Sequence, residues 1–206
     1  MKTSPIKYVL GSLAILAFLS LPTPSRADVI YSFQDNSTFD YTYGTWNGNV
    51  LPGPTFLSIN GTATDNGGGV HLFPGSLDLS PYAATGKLQI EAKLLTGNAA
   101  TGFNVNLFTS NSTYNVYQFS TAGLNEATFT QLSLNLASPS IKVGGGVTNW
   151  TSITKFELQG NYASGAALDL GVRNLEVVTT PEPGTWPIVL LGGVAWLGVR
   201  RFRAKA

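Results

Sequence analysis

The residue types that most catalytic and metal centres require are scarce in this 206-residue sequence. It has no cysteine, which excludes disulfides, thiolate metal sites and cysteine nucleophiles. It has one histidine, His71, so a zinc site built on histidines is excluded as well. Charged residues make up only 11% of the chain, less than half of the roughly 25% usual in soluble domains. Glycine is abundant, with 23 residues, and such a composition is typical of a loop-rich extracellular β protein.

The few charges are unevenly distributed along the chain. Between residues 28 and 180 there are ten acidic and five basic side chains, a balance of −5, whereas the basic excess lies at the two ends. A domain of this sign repels the phosphates of nucleic acid. We therefore expect no nucleic-acid partner.

The first 27 residues have the layout of a secretory signal peptide. Lys2 and Lys7 precede a short apolar run over 8–21, and Ser25 and Ala27 occupy the −3 and −1 positions of a small-residue cleavage site. We expect the Sec translocon to export the chain and signal peptidase to cut it after Ala27. The alternative is an uncleaved membrane anchor, which the prolines after the apolar run disfavour.

The C-terminal segment, residues 179–206, has three consecutive parts. A Pro-Glu-Pro motif at 181–183 forms a stiff polar hinge, an apolar run covers 186–199, and a basic tail covers 200–205. As a helix the apolar run would be about 21 Å long, shorter than the roughly 30 Å hydrocarbon core of a bilayer. It therefore predicts a short transmembrane helix that anchors weakly, with the basic tail in the cytoplasm.

This segment resembles the PEP-CTERM sorting signal of bacteria that make exopolysaccharide. The resemblance covers about the last 26 residues and depends on Pro181, Glu182, Pro183, Arg200, Arg201 and Arg203, which flank the apolar run. It implies that exosortase, a membrane-embedded transpeptidase-like enzyme, cuts near the motif after transient passage through the inner membrane. The mature protein would then reach the cell surface or the extracellular matrix. The alternative is a permanent anchor that exosortase never cuts.

Residues 28–178 show the two-residue period of half-buried β-strands. The segment 87–94 alternates polar and apolar side chains at every step, and 103–108 alternates again after a glycine-containing turn. The last segment, 167–178, changes phase once, which predicts a β-bulge near Asn174. Eight to ten short strands joined by polar turns predict an all-β antiparallel β-sandwich.

The stretch from Leu77-Asp78-Leu79-Ser80 to Asn174-Leu175-Glu176-Val177 resembles the carbohydrate-binding-module-like jelly rolls of the galactose-binding-like kind. In these domains a short early element leads into a long alternating strand, and a similar closing strand ends the domain. The resemblance is one of strand pattern and implies a jelly-roll-like sandwich for residues 28–178. It assigns no site.

Side chains suited to catalysis are few. His71 could belong to a Ser-His-Asp site, but no Gly-x-Ser-x-Gly turn accompanies it. A glycosidase needs two facing carboxylates, and Glu91, Glu126, Glu157 and Asp169 are candidates. Glu91 and Glu157 fall on the polar faces of strands, where we expect them to be solvated. We therefore predict no catalytic residues.

A structural calcium ion is a more plausible bound group, since carboxylate and amide oxygens in loops are its preferred ligands. Asp35, Asp65 and Asp78 are the candidates, the first two each followed by an asparagine. No EF-hand spacing is present, and such residues are also common turn formers. We predict no cofactor apart from this possible calcium site.

Sugar binding requires flat aromatic faces beside amide and carboxylate groups. Tyr41, Tyr43 and Trp46 are close together and interleaved with Asp40 and Asn47. Trp150 is a further candidate on another segment. The alternative is that these rings belong to the core or its rim.

The sequence as a whole predicts a non-enzymatic surface or matrix protein that is sorted by exosortase and associates with exopolysaccharide. Two alternatives stay open. One is a carbohydrate-binding module with a defined glycan ligand, and the other is a secreted hydrolase of unrecognised type.

Overall fold

The computed structural model describes residues 27–61, 67–160 and 166–179. The predicted signal cleavage after Ala27 lies at the start of these residues. The signal segment, the Pro-Glu-Pro motif, the apolar run over 186–199, the basic tail and Asp65 lie outside them. Within the described ranges, no helix is long and apolar enough to span a bilayer.

Twelve β-strands, numbered β1 to β12 in chain order, form the described part of the chain. They are Ala27–Ser32, Tyr41–Tyr43, Val50–Leu51, Leu57–Gly61, Gly68–Leu77, Gly86–Leu94, Gly102–Ser110, Thr113–Ser120, Thr130–Asn135, Ile141–Val143, Ile153–Gly160 and Leu168–Thr179. In the described residues, helical structure is limited to two three-residue 3-10 turns, Gly44–Trp46 and Ser80–Tyr82. The predicted all-β class is confirmed.

The strands form two antiparallel sheets of six strands each. Sheet A has the order β3-β4-β12-β6-β9, and β1 pairs with β12 beyond the segment that pairs with β4. Sheet B has the order β10-β8-β7-β11-β5-β2. The predicted antiparallel sandwich is confirmed by this arrangement.

The predicted β-bulge in β12 is also present. On β6, Ala92 and Ile90 are two positions apart, but their partners on β12, Val172 and Leu175, are three positions apart. The extra residue turns Arg173 and Asn174 away from the core and returns Leu175 to it. Both phases of the apolar pattern therefore point inward.

The core lies between the sheets and is filled by the inward-facing residues of both. Phe103, Val105 and Leu107 of β7 are fully buried there, as are Leu88 of β6 and Phe156 of β11. Because successive residues of a strand point to opposite faces, the intervening residues of β7 and β11 point outward from sheet B. This outer face carries the candidate site.

Candidate functional site

A cleft of about 490 Å³ crosses the outer face of sheet B. Its lining comes from β2, β7, β8, β10 and β11, with one residue from the β7–β8 turn: Tyr43, Asn104, Asn106, Phe108, Asn111, Tyr114, Val116, Ile141, Val143, Lys155, Glu157 and Gln159. The cleft therefore extends over most of the width of the sheet.

The floor of this cleft is formed by four polar side chains on the two central strands. Asn106 of β7 lies directly opposite Glu157 of β11, and Asn104 lies opposite Gln159. All four side chains are between 3% and 9% exposed, although they point away from the core. We call these four residues the polar floor.

A hydrogen-bond chain runs through the polar floor to Tyr43. The Asn106 Nδ2 group donates to Gln159 Oε1 at 3.3 Å, and Gln159 Nε2 donates to the Tyr43 hydroxyl at 3.0 Å. The Tyr43 hydroxyl in turn donates to Glu157 Oε1 in a short hydrogen bond. The chain fixes the orientation of the Asn106 and Gln159 amides, so the groups that these two residues leave for a ligand are determined.

Two oxygens on the floor remain without a partner. The Oδ1 atoms of Asn104 and Asn106 are buried and accept no hydrogen bond from the described residues. A buried polar atom without a partner costs about 1–3 kcal/mol relative to one that is satisfied. The floor therefore carries two unsatisfied acceptors, which favour a ligand that brings hydrogen-bond donors and turns these side chains toward the cleft.

Glu157 is the acidic residue of the polar floor, and its burial raises its pKa. Removal from water raises the pKa of Glu157 above its ordinary value of 4.5, while hydrogen bonds from Tyr43 and Asn106 and the charge of Lys155 act in the opposite direction. The expectation that Glu157 lies on a solvated face is wrong, because the cleft walls cover it. Glu157 therefore stays protonated to a higher pH than a carboxyl group that is exposed to water.

Tyr43 reaches the floor because the strand between them carries a glycine. Gly68 of β5 lies between Tyr43 of β2 and Gln159 of β11 in the sheet. A Cβ atom at Gly68 would meet the Tyr43 hydroxyl at 2.5 Å. The missing side chain at Gly68 therefore lets the tyrosine ring extend across β5.

Two neighbouring glycines have the same effect on the inner face. A side chain at Gly67 would overlap the ring of Trp46, and one at Gly69 would overlap that of Phe39. Trp46 is consequently 0% exposed, within the core. The prediction that Trp46 offers a face to sugar is wrong.

The opposite wall of the cleft is aromatic. The rings of Phe108 and Tyr114 stack with centroids 4.4 Å apart and planes 27° apart. Lys155 Nζ lies 4.3 Å from the Phe108 centroid and donates to Asn111 Oδ1 at 3.0 Å. Lys155 thus contacts the stack on the Phe108 ring. The Tyr114 ring is half-buried and lines the cleft.

The other predicted aromatic residues lie away from the polar floor. Tyr41 is on the outer face of sheet B beside Val70 and is 47% exposed, but it does not line the cleft. Trp150 is half-buried and packs against the core. Of the four predicted sugar-binding residues, the structure brings only Tyr43 into the cleft.

The predicted calcium ligands do not form a cluster in the described residues. Asp35 is exposed in a turn with a φ of 58°, and Asp78 accepts a hydrogen bond from the Ser80 amide at 2.8 Å. The hydrogen bonds from Ser80 lower the pKa of Asp78. Within the described ranges, no three metal-ligating side chains of the His, Asp and Glu types meet.

His71 lies on the inner side of β5, apart from the cleft. Its Nδ1 is 2.8 Å from Asp40 Oδ2, which also accepts the Leu72 amide at 2.7 Å. Its ring packs against Tyr31, with centroids 4.2 Å apart, and against Phe156. This histidine connects the loop before β2 to β5 and adds an ion pair when protonated.

Comparisons with solved structures agree with this architecture. A family 30 carbohydrate-binding module superposes with a TM-score of 0.55 and 13% identity, over 76% of this chain and 89% of that one. The family 30 module of the cellulosomal cellulase Cel9D-Cel44B of Clostridium thermocellum gives a TM-score of 0.52 and 15% identity, over 77% and 99%. The superpositions show a shared jelly-roll fold, and identities this low show the fold alone.

Larger proteins contain the same fold as one part. The agarase AgWH50C superposes with a TM-score of 0.56 and 11% identity, over 75% of this chain and 25% of its own. This chain therefore spans about a quarter of the length of the agarases it matches. No protein-family model and no curated protein sequence matches the chain.

Sequence reasoning missed most of the polar floor. Asn104 and Asn106 alternate with Phe103, Val105 and Leu107, and this pattern by itself predicts no more than a half-buried strand. One signal could have pointed to a site. Asparagine is depleted in strands, so two asparagines at alternate positions of a central strand indicate a purpose other than stability.

Proposed function

We propose that this chain is an exported glycan-binding protein, and that the glycan lies in the cleft on the outer face of sheet B. The observation that carries the proposal is the pair of buried, unpartnered Oδ1 atoms of Asn104 and Asn106 beside Glu157. Sugar hydroxyl groups are donors that would satisfy these atoms. The proposal favours the carbohydrate-binding alternative for residues 28–178 and keeps export as its setting.

The walls of the cleft support the same ligand class. Sugar rings have apolar faces that pack on aromatic rings, and sites that bind them combine such rings with a few fixed polar groups. Tyr114, backed by Phe108, and Tyr43 supply rings on opposite sides of the floor. The likeness to family 30 carbohydrate-binding modules supports the proposal at the level of the fold.

The extent of the cleft favours a chain of sugars over a single one. The cleft is lined by the strands from β10 to β11, which are three inter-strand intervals apart, and by Tyr43, whose ring reaches toward β11 across β5. At about 4.8 Å per interval, three intervals span roughly 14 Å, longer than one sugar ring. An oligosaccharide or a segment of polysaccharide would therefore lie across the strands.

We propose binding without hydrolysis. Glycosidases use two carboxyl groups on either side of the scissile bond. Among the described residues that line the cleft, Glu157 is the one carboxyl group, and Glu91 is on sheet A. Glu157 is also engaged by the Tyr43 hydroxyl. These observations support a binding module over the hydrolase alternative.

A glycan array tests the proposal directly. The full chain is incubated with neutral oligosaccharides, and each positive glycan is then titrated by calorimetry. We expect saturable binding that is lost when Asn104→Ala and Asn106→Ala are combined, whereas Asn135→Ala, an exposed control on sheet A, retains it. Binding that survives the paired change, or no binding to any glycan, would contradict the proposal.

Export and sorting form the second part of the proposal. The signal peptide ending at Ala27 would direct the chain to the Sec translocon and signal peptidase, and exosortase would process the segment after Thr179. Released protein would then bind exopolysaccharide at the cell surface or in the matrix. This part rests on the sequence patterns at both ends of the chain.

Its test is the intact mass and the location of the protein in its host. We expect a mature form that begins at Asp28 and ends near Thr180, outside the cell. Replacement of Pro181, Glu182 and Pro183 by alanine should retain the protein in the inner membrane. A mature form that still ends at Ala206 would show a permanent anchor instead.

A further inference from the structure

The outer face of sheet A carries two cations that share one aromatic ring. The Cζ atom of Arg173 lies 3.8 Å from the Phe129 centroid, and Lys93 Nζ lies 5.3 Å from the same centroid. Lys93 Nζ is also 4.9 Å from the ring of Phe56, which packs against Phe129 with centroids 5.5 Å apart. We call Lys93, Arg173, Phe56 and Phe129 the basic patch.

The local sequence explains why these groups meet. Lys93 of β6 lies opposite Gly171 of β12, where a Cβ atom would come within 3.0 Å of the Phe56 ring. The absent side chain at Gly171 therefore lets Phe56 lie on the strand. Arg173 follows two positions later on the same face, at the β-bulge. Backbone pairing thus holds both cations in place.

Neither cation has a carboxylate counter-ion among the described residues. Among the described residues, the contact of ion-pair geometry is that of His71 with Asp40, which is an ion pair when His71 is protonated. Three carboxylates of sheet A and its loops accept hydrogen bonds from neutral groups: Glu91 from Asn174, Glu126 from Thr96 and Glu176 from Gln131. The positive charge of the basic patch is therefore left uncompensated by direct contacts.

One donor of the basic patch is buried and unused. The Nε atom of Arg173 is inaccessible to water and has no hydrogen-bond partner among the described residues. Arginine is the residue best suited to planar recognition of carboxylate and sulfate groups, because its donors form a rigid fork. Since Nε is inaccessible, an anion would bind the Nη groups of the same guanidinium, which have no hydrogen-bond partner among the described residues, beside the ammonium of Lys93.

We propose that the basic patch binds an acidic group of a polysaccharide, a carboxylate or a sulfate, at a site separate from the cleft. The surrounding domain has a charge of −5 between residues 28 and 180, so a densely charged polyanion such as nucleic acid would be repelled. A polysaccharide with widely spaced acidic groups presents one anion at a time. With the cleft on the opposite sheet, the domain would contact two glycan segments.

Affinity electrophoresis and calorimetry test this site with three probes. Hyaluronan carries one carboxylate per disaccharide, κ-carrageenan carries one sulfate per disaccharide, and dextran is the neutral control. We expect the full chain to bind at least one acidic probe and Arg173→Gln and Lys93→Gln each to weaken it about tenfold or more, as expected for charge-assisted hydrogen bonds. Retention of one acidic probe over the other identifies the source of the anion.

Matched variants separate this site from general charge effects and from the cleft. Lys142→Gln, on β10, removes the same charge elsewhere and should leave binding of the acidic probe within about twofold. The paired Asn104→Ala, Asn106→Ala variant should also retain it, even if glycan binding in the cleft is lost. Thermal unfolding of each variant shows whether it is folded. If Arg173→Gln is not folded, Arg173→Lys replaces it in the binding experiment. Absence of binding to both acidic probes, or an equal loss in Lys142→Gln, would overturn the proposal.

Discussion

Asn106 and Gln159, 53 positions apart in the sequence, share a hydrogen bond of 3.3 Å from Nδ2 to Oε1 on the buried floor of the cleft. This contact uses the donor side of Asn106 and leaves its Oδ1 atom for a ligand. Gln159 also donates to the Tyr43 hydroxyl, which in turn donates to Glu157. A change at Asn106 or at Gln159 therefore alters the hydrogen bonds of the other residues in this chain.

Replacement of Asn106 by alanine should weaken glycan binding about three- to tenfold, as expected for the loss of one neutral hydrogen bond. The change removes the acceptor offered to the ligand and the donor that orients Gln159. Calorimetric titration of the full chain measures the effect. Asn135→Ala, on the exposed face of sheet A, is the control and should bind as the unaltered protein does. Equal affinities for the two variants would place the ligand elsewhere.

Tyr114 and Tyr41 should respond differently to replacement by alanine. Tyr114 lines the cleft and stacks on Phe108, so its loss should reduce affinity about two- to twelvefold, the range of one aromatic contact. Tyr41 is more exposed but does not line the cleft, and Tyr41→Ala should stay within about twofold. The reverse order of effects in calorimetry would favour a site at the β2 edge.

Trp46→Ala should act on stability. The indole is fully buried against Phe39, with ring centroids 6.3 Å apart, so its removal leaves a large cavity. We expect a loss of about 3–5 kcal/mol in the free energy of unfolding. Urea denaturation measures this, with Tyr41→Ala as an aromatic control expected within about 0.5 kcal/mol. A stable Trp46→Ala protein that no longer binds glycan would restore Trp46 as a ligand-binding residue.

The stability of the domain should fall with rising pH because of Glu157. In the unfolded chain this carboxyl titrates near 4.5, whereas burial raises its pKa in the folded domain. Below pH 4.5 it is protonated in both states and adds its full contribution; as the pH rises through the raised pKa, the buried group ionises and that contribution is lost. Glu157→Gln should therefore gain stability relative to the unaltered protein across this window. Parallel urea-denaturation profiles for the two proteins would contradict the assignment.

Much of the fold could be predicted from the sequence, because alternation is a local property. Segments 87–94 and 103–108 are the centres of strands β6 and β7, and the phase change near Asn174 is the bulge in β12. The prediction of eight to ten strands omitted the short strands Val50–Leu51 and Ile141–Val143. Two or three residues are too few to show a period, and these strands form by pairing with longer neighbours.

The site was less predictable, because it depends on which strands become neighbours. Tyr43 was predicted as a sugar-binding residue together with Tyr41, but its contacts with Glu157 and Gln159 lie across β5. Trp46 was predicted as a third, yet Gly67 opens a place for its ring in the core. The direction of each ring was set by the glycines of a strand more than 20 positions away, which local patterns cannot show.

The most direct test of glycan binding in the cleft is an NMR titration of the side-chain amides. A glycan selected on the array is added to the isotopically labelled full chain. We predict that the Nδ2 resonances of Asn104 and Asn106 and the Nε2 resonance of Gln159 shift with saturation, whereas those of Gln89, Gln131 and Asn135 on sheet A do not. Shifts confined to sheet A, or no shift at the polar floor at saturation, would contradict the account.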